Sequence, residues 1–486
     1  MSRSSSKGKG REMRTFHVVS LGCPKNTVDS QRILGALAES GWAYAEDPRA
    51  ADVCLVNTCG FLRASCEEAA RTLSGLRRKA PQAKIVALGC LAERAGDGAE
   101  MAEFLKAADA VVGFADYARL PEICQGLAEG ETGRKGGAKR CEITVKFEEN
   151  AKISVASGYR GRTLPKSYME WLGGASWRYG GQSTGWLKLG EGCSNHCAYC
   201  AIPLIRGDRV SRPVKEIVRN ARELLDDGAR ELNLVAQDTT AYGMDFAGES
   251  RFVELLRAIL RIRESFFVRV LYAHPRHLTE EMLRVMADDE RVCPYLDLPI
   301  QHSETKVLRT MRRGYDGRRV RELVGRIREI LPDVALRTTV IVGHPGETEE
   351  EFGRLLEFVR EGHFDHLGAF AWSPEPGTDS VRSRAPVATP EEARRRQQAV
   401  MAAQKAVSTA RWRARRGTET VVFPDAERAD GTWACHSLYQ APDGLDGTCT
   451  LKIPADLAYR FDPGLPAVAR IVSTGAYSVR TELSPL

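Results

Sequence analysis

The chain has no apolar run of membrane-spanning length, which takes about 20 residues, so no spanning helix is expected. Residues 1–14 are rich in Ser, Gly, Lys and Arg and contain no apolar stretch, which excludes a secretory signal and predicts a disordered basic tail. Strong net charge is missing too. A total of +6 over 486 residues is mild, and its distribution says more than its sum. Cysteine is not scarce: there are 13. With no export signal, a cytoplasmic location is expected, where thiols stay reduced and metal ligation explains many cysteines better than disulfides do. A content of 43% hydrophobic and 28% charged residues is that of an ordinary globular protein, and the length suggests about three domains.

The most informative feature is the run Glu191-Gly-Cys-Ser-Asn-His-Cys-Ala-Tyr-Cys-Ala-Ile-Pro, with Cys193, Cys197 and Cys200 in Cys-x3-Cys-x2-Cys spacing. Three thiolates so close can hold an iron–sulfur cube by three irons and leave the fourth open. Such clusters normally take four cysteines, and an open position on a metal signals chemistry rather than structure. The competing reading is a zinc knuckle. Zinc needs a fourth Cys or His at short spacing, and His196, inside the run, is poorly spaced to complete a tetrahedron.

Composition shifts divide the chain into a tail (1–14), an N-terminal domain (15–126), an irregular Gly-rich linker (127–184), a central domain (185–416) and a C-terminal β domain (417–486). In the first domain, strands are expected at 16–21, 53–57 and 85–88, separated by helical patterns, so the sheet is parallel and the class α/β. Each strand runs into a cysteine: Cys23, Cys59 and Cys90. Ligands of open α/β sheets sit beyond the carboxyl ends of strands, so these three thiols are expected to meet and hold a second cluster, again with an open iron. Gly22, Gly60 and Gly89 flank them and permit close backbone approach. The competing reading is three buried free thiols. Cys54, Cys66, Cys124, Cys141, Cys293, Cys435 and Cys449 are read as structural.

The central domain shows six strand candidates, at 185–189, 231–236, 266–271, 295–300, 335–342 and 366–371. Helices are expected at 215–227, 252–263, 279–287, 318–330 and 349–361. Six βα units with right-handed crossovers give a partial barrel, whose site lies at the carboxyl ends of its strands. Cys193 follows the first strand. Gln237, Asp238, His274, Gln301, His302, Gly343, His344 and Ser373 follow the others. From this rim placement, Gln237, Arg337 and the Gly343 turn are candidate cofactor contacts.

The tail domain reads as short strands with turns at Asp430-Gly, Asp443-Gly and Asp446-Gly, a small β-barrel of a type that often binds RNA. Its charge argues otherwise. From residue 418 it has 5 basic against 9 acidic residues, a net of −4, whereas phosphate binding needs positive charge. Direct RNA binding is therefore not expected of it, although the preceding helix carries eight Lys/Arg between Arg394 and Arg416.

The residues around Cys193, with Tyr199 before the last cysteine, resemble the radical S-adenosylmethionine (SAM) superfamily. The wider pattern resembles the methylthiotransferases: an N-terminal three-cysteine domain, a radical SAM barrel and a C-terminal TRAM-like barrel. The segments Ser20-Leu-Gly-Cys-Pro-Lys-Asn-Thr-Val-Asp-Ser, Val235-Ala-Gln-Asp-Thr-Thr-Ala-Tyr-Gly and Tyr295-Leu-Asp-Leu-Pro-Ile-Gln-His carry the likeness. So do Arg337-Thr-Thr-Val-Ile-Val-Gly-His-Pro-Gly-Glu-Thr and Phe370-Ala-Trp-Ser-Pro-Glu-Pro-Gly-Thr. Pro24 and Lys25 point to the branch acting on ribosomal protein S-twelve; the branch acting on a modified adenosine of tRNA usually carries other residues there. The likeness spans about 16–416 and is weak over the tail; the 135–184 stretch looks longer or more irregular than the family norm.

The resemblance implies two [4Fe-4S] clusters, on Cys193, Cys197 and Cys200 and on Cys23, Cys59 and Cys90, with SAM at the first and Tyr199 near its adenine. It implies reductive SAM cleavage, hydrogen abstraction, and transfer of a methylthio group to the β-carbon of an aspartate of that ribosomal protein, free or in the ribosome. An electron donor and a sulfur donor are implied partners. A non-catalytic cluster-binding protein associated with ribosomes is the third reading; it would not cleave SAM.

Overall fold

The computed structural model describes residues 13–130, 163–174, 176–178 and 183–485. The expected basic tail (but for its last two residues), Cys141 and most of the expected linker lie outside the described residues. Two compact units emerge, one built on 13–130 with the described part of 164–178, the other on 183–485.

The first unit is an open sheet of five strands: β1 (Thr15–Ser20), β2 (Ala43–Tyr44), β3 (Val53–Thr58), β4 (Lys84–Gly89) and β5 (Ala110–Val112). Their order is β2-β1-β3-β4-β5, with every pairing parallel. The strands expected from the apolar runs are β1, β3 and β4. β3 is buried at all six positions, as a strand covered by helices on both faces must be. The strand order reverses between β1 and β3, and a crevice opens at such a switch point. The helix Lys166–Leu172 also belongs to this unit, its Tyr168 hydroxyl bonded to Asp29 at 3.0 Å.

In the second unit, β6 (Thr184–Lys188) is followed by a short ribbon of β7 (Gly190–Glu191) and β8 (Val210–Ser211). Then come β9 (Glu231–Val235), β10 (Phe267–Val270), β11 (Val292–Asp297), β12 (Ala335–Val342) and β13 (His366–Ala371). The sheet runs β13-β12-β11-β10-β9-β6, six parallel strands in chain order. Its helices fall where the periodicity predicts. Val214–Asp226 buries Ile217, Ala221, Leu224 and Leu225, one face of a 3.6-residue repeat. Glu349–Arg360 starts at a capping box of Thr348 and Glu351.

The chain ends in a closed barrel of β14 (Glu419–Glu427), β15 (Trp433–Ser437), β16 (Thr448–Lys452), β17 (Ala467–Thr474) and β18 (Ser478–Leu483), ordered β14-β15-β16-β18-β17. The small barrel expected of the tail is present. Polar groups join it to the six-stranded sheet. Arg269 reaches the Leu438 and Ser437 carbonyls at 2.8 and 3.1 Å and Glu231 at 2.7 Å. His436 lies 2.9 Å from Glu231. Tyr295 donates to Asp446 at 2.7 Å. Two of the tail's acids, Asp425 and Asp446, are thus spent on this seam or its histidine, so less of the charge counted in the sequence is free to face a partner.

Candidate functional site

In the first unit, Cys23 is the N-cap of the helix Pro24–Glu39 and Cys90 opens the helix Cys90–Arg94. Cys59 directly follows β3. Thiolates at helix N-termini are favoured by the partial positive charge there. The glycines explain how the three strand ends come together. A Cβ on Gly22 would lie 2.7 Å from Cys59 Cβ and 3.2 Å from its Sγ. One on Gly60 would lie 2.7 Å from the Leu91 backbone and 2.9 Å from the Cys90 carbonyl carbon. Gly22 and Gly89 both sit at φ 91, where side chains are strained.

Asn26 ties this edge together, and sequence reasoning gave it no role. Its amide donates to the Leu21 and Thr58 carbonyls at 3.0 Å each, and its Oδ1 faces the Cys90 thiol at 3.8 Å. One side chain therefore touches the ends of β1, β3 and β4. Burial pushes the Cys59 thiol up, with the neighbouring Cys23 adding to the shift. A buried thiol surrounded by others stays protonated until a metal takes the charge, so the donor set suits a cationic cluster.

In the second unit, Cys193, Cys197 and Cys200 lie on the loop after β6 and β7. Gly192, at φ 70, lets this loop pass against the Asp208 carbonyl. Burial raises Cys193 to about 11, with Asp238 and Cys197 contributing, and also raises Cys200. The Cys200 sulfur accepts the Ile202 amide at 3.5 Å, and the Cys197 sulfur accepts a guanidinium N–H from Arg313 at 3.2 Å. Sequence reasoning missed Arg313, which lies 116 residues from the thiol it meets. His196, the only nearby candidate for a fourth zinc ligand in the run, is turned to Asp208 at 2.9 Å and is 60% exposed. The run offers three sulfurs and no imidazole, which fits a cube with one open iron and not a tetrahedral zinc.

The rim is as dense in polar groups as expected. Asp238 accepts from Asn195 at 2.7 Å and pairs with His277 at 2.8 Å. Burial opposes its charge, but His277, His274 and Arg209 hold it below the usual carboxylate range. Asp238, His274 and His277 bring ligand atoms within 4.8 Å of one another. His274 Nδ1, however, accepts the Arg276 amide at 3.2 Å, which fixes the proton on Nε2 and leaves that nitrogen a donor rather than a ligand. His302 lies 3.2 Å from Glu347, and His344 lies 2.8 Å from the Ser380 hydroxyl. Burial lowers His344 to about 4, so it is neutral. Gln301 sits at φ 68, and the Ser373 hydroxyl bonds Glu375 at 2.8 Å. Tyr199 meets the His344 ring edge-on at 6.4 Å. Gln237 is partly exposed, two residues beyond the end of β9. Gly343, at φ 78, packs its turn onto Ala393, where a Cβ would come within 2.9 Å.

Arg337 is a correction. It sits third in β12, six residues before Gly343, or about 20 Å of extended strand. Its guanidinium pairs with Asp297 at 2.8 Å and with Asp446 of the terminal barrel at 3.1 Å. Expected at the rim, it lies instead near the start of its strand, in the seam beneath the small barrel.

Comparison with known proteins agrees with this architecture. Residues 187–359 match the Radical SAM superfamily and residues 15–113 the Uncharacterized protein family UPF0004. The chain is 36% identical to "Ribosomal protein uS12 methylthiotransferase RimO" of Parasynechococcus marenigrum, with 94% of this chain and 92% of that protein covered. It is 37% identical to the protein of the same name from Geobacter sulfurreducens, with 88% and 91% covered. Among solved structures, a radical S-adenosylmethionine methyltransferase, TsrM, from Kitasatospora setae with cobalamin and a [4Fe-4S] cluster bound shares the fold. Its TM-score is 0.50 at 15% identity, covering 74% of this chain and 75% of that one.

Proposed function

We infer the function from one premise: the chain belongs to the RimO family of ribosomal protein uS12 methylthiotransferases. It is a radical SAM enzyme that adds a methylthio group to that ribosomal protein, with SAM and [4Fe-4S] clusters as cofactors. The tRNA-modifying alternative is not favoured, because relatives covering over nine-tenths of the chain carry the protein-modifying name. We place the modification on the β-carbon of an aspartate.

The observation that carries the site assignment is the pair of cysteine trios, each gathered at the carboxyl edge of a parallel sheet. We assign Cys193, Cys197 and Cys200 to one cluster and Cys23, Cys59 and Cys90 to the other. When bound, these groups supply one-electron SAM cleavage and a sulfur-transfer centre. The chain's own part is to hold and shield them. Gly22, Gly60 and Asn26 hold three strand ends at one edge. Asn195 and Asp238 fasten the cysteine loop to β9. Tyr199, Gln237 and the Gly343 turn are proposed to line the SAM pocket, and neutral His344 adds no charge there. The reductant and the sulfur source are separate partners. We place the reaction in the cytoplasm, on free or ribosome-bound substrate, without a direct RNA contact by the acidic barrel.

Intact mass of the ribosomal protein and nucleoside analysis of tRNA, from cells with and without the gene, test this reading. A gain of roughly 46 Da on the protein, CH3S replacing H, with unchanged tRNA is the expected outcome. A gene-dependent methylthio nucleoside with no protein mass change would overturn it.

A further inference from the structure

Arg313 is buried, with 5% of its surface exposed. Its four polar contacts are Cys197 Sγ at 3.2 Å, Tyr199 Oη at 3.3 Å, Tyr315 Oη at 2.9 Å and the Pro299 carbonyl at 2.8 Å. Among the described residues no carboxylate pairs with it. Buried charges are normally paired, since an unpaired one loses its hydration with nothing in return. The neighbouring Arg312 shows the ordinary case: it is 60% exposed and bridged to Asp379. The partner the guanidinium meets that would carry negative charge once a cluster is bound is the Cys197 sulfur, at 3.2 Å. An arginine guanidinium stays protonated in proteins, so the group facing Cys197 is a fixed cation.

A cube carrying three thiolates is an anion, and one-electron reduction makes it more negative. A fixed cation donating to one of its sulfurs stabilises the reduced form more than the oxidised form. Net charge and hydrogen bonds to the sulfurs are among the levers that set such potentials. We propose that Arg313 is the counter-ion of the cluster held by Cys193, Cys197 and Cys200, and that its N–H···Sγ bond to Cys197 raises that cluster's reduction potential so that a low-potential donor can deliver the single electron. No bond forms or breaks in this step; one electron passes from the donor to the cluster. Tyr315 and the Pro299 carbonyl hold the guanidinium in place, which makes Arg313 a positioning and tuning residue rather than a proton carrier. The proposal rests on the ligand assignment given above.

The test is an EPR-monitored titration with dithionite and mediators, on full-length protein carrying C23A, C59A and C90A so that one cluster signal remains. R313Q should lower the midpoint enough to cut the reduced-to-oxidised ratio at least tenfold at a fixed potential, about 59 mV for a one-electron couple. R313K, which keeps the charge, should stay near the parent, and R312Q should match it. Equal midpoints for R313Q and parent, or an equal fall in R313K and R313Q, would overturn the proposal. If the parent itself binds no cluster, the ligand assignment has failed instead. Should R313Q not load, unsubstituted protein containing guanidino-15N arginine decides: a 15N hyperfine coupling on the reduced cluster supports the bond, and its absence overturns it.

Discussion

Three thiols at three strand ends form a site only if the backbones carrying them approach closely, and at this scale two residues decide. Gly22 has φ 91 and its absent Cβ would overlap Cys59 at 2.7 Å. Gly22→Ala therefore has to move either the β1 turn or Cys59. The expected outcome is loss of about half the iron bound per chain, with SAM cleavage retained, because the other trio lies in the other unit. Full iron content in G22A would show that the edge tolerates the shift. Asn26 makes the complementary case. Asn26→Ala leaves the Leu21 and Thr58 carbonyls without their donor, a cost of about 1–3 kcal/mol for buried acceptors. A melting temperature within a degree of wild type would contradict this. The glycines were legible in the sequence because each stands beside a cysteine at the end of an apolar run. Asn26 was not, because its partner at Thr58 lies 32 residues away and nothing local marks it.

Among elements, long apolar runs announced themselves. β3, β12 and β13 lie within a residue of where the sequence places them, since strands buried on both faces leave continuous hydrophobic stretches. β2 and β5, of two and three residues, are too short for any periodicity to show. β11 was expected at 295–300 but forms at Val292–Asp297. Its chain does go on to pair at Gln301 with Val340, so the expected run is the irregular end of the same strand. The turn after β12 offers a test at this scale. Gly343 lies at φ 78 against Ala393 of the helix Pro390–Ala414. Gly343→Ala combines an unfavourable backbone region with a contact that must give, a strain on the order of 1–3 kcal/mol. Lower thermal stability together with weaker SAM binding is expected, read by differential scanning calorimetry and by equilibrium dialysis with SAM. Weaker stability with unchanged SAM affinity would remove this turn from the cofactor pocket.

At the scale of the folded chain, part of the tail's acidic charge is used inside the fold. Two of its nine acids, Asp425 and Asp446, turn toward the seam, and Arg337, expected at the rim, pairs with Asp446 there. The centre of that seam is His436, 4% exposed, between Glu231 at 2.9 Å and Asp425 at 3.2 Å. Burial opposes its charge, but Glu231 and Asp425 overcome this and raise it to about 9. In Glu231, burial is overcome by Arg269 and His436, which bring it down to about 2. The unfolded His value is about 6.5. A raised folded value means the stabilisation is complete below about 6.5 and is lost as pH rises through 9. The matching Glu231 contribution is complete above its unfolded value of about 4.5 and is lost only near 2, so it is constant across the alkaline range. The histidine contribution is at most about 3 kcal/mol. His436→Gln should thus destabilise the protein most near pH 6, and the gap between variant and wild type should close as pH approaches 10. Thermal unfolding of both proteins across that range checks it. A gap that stays constant with pH would mean that His436 holds the seam by packing against Phe423, whose ring stacks on it at 4.9 Å, and not by charge.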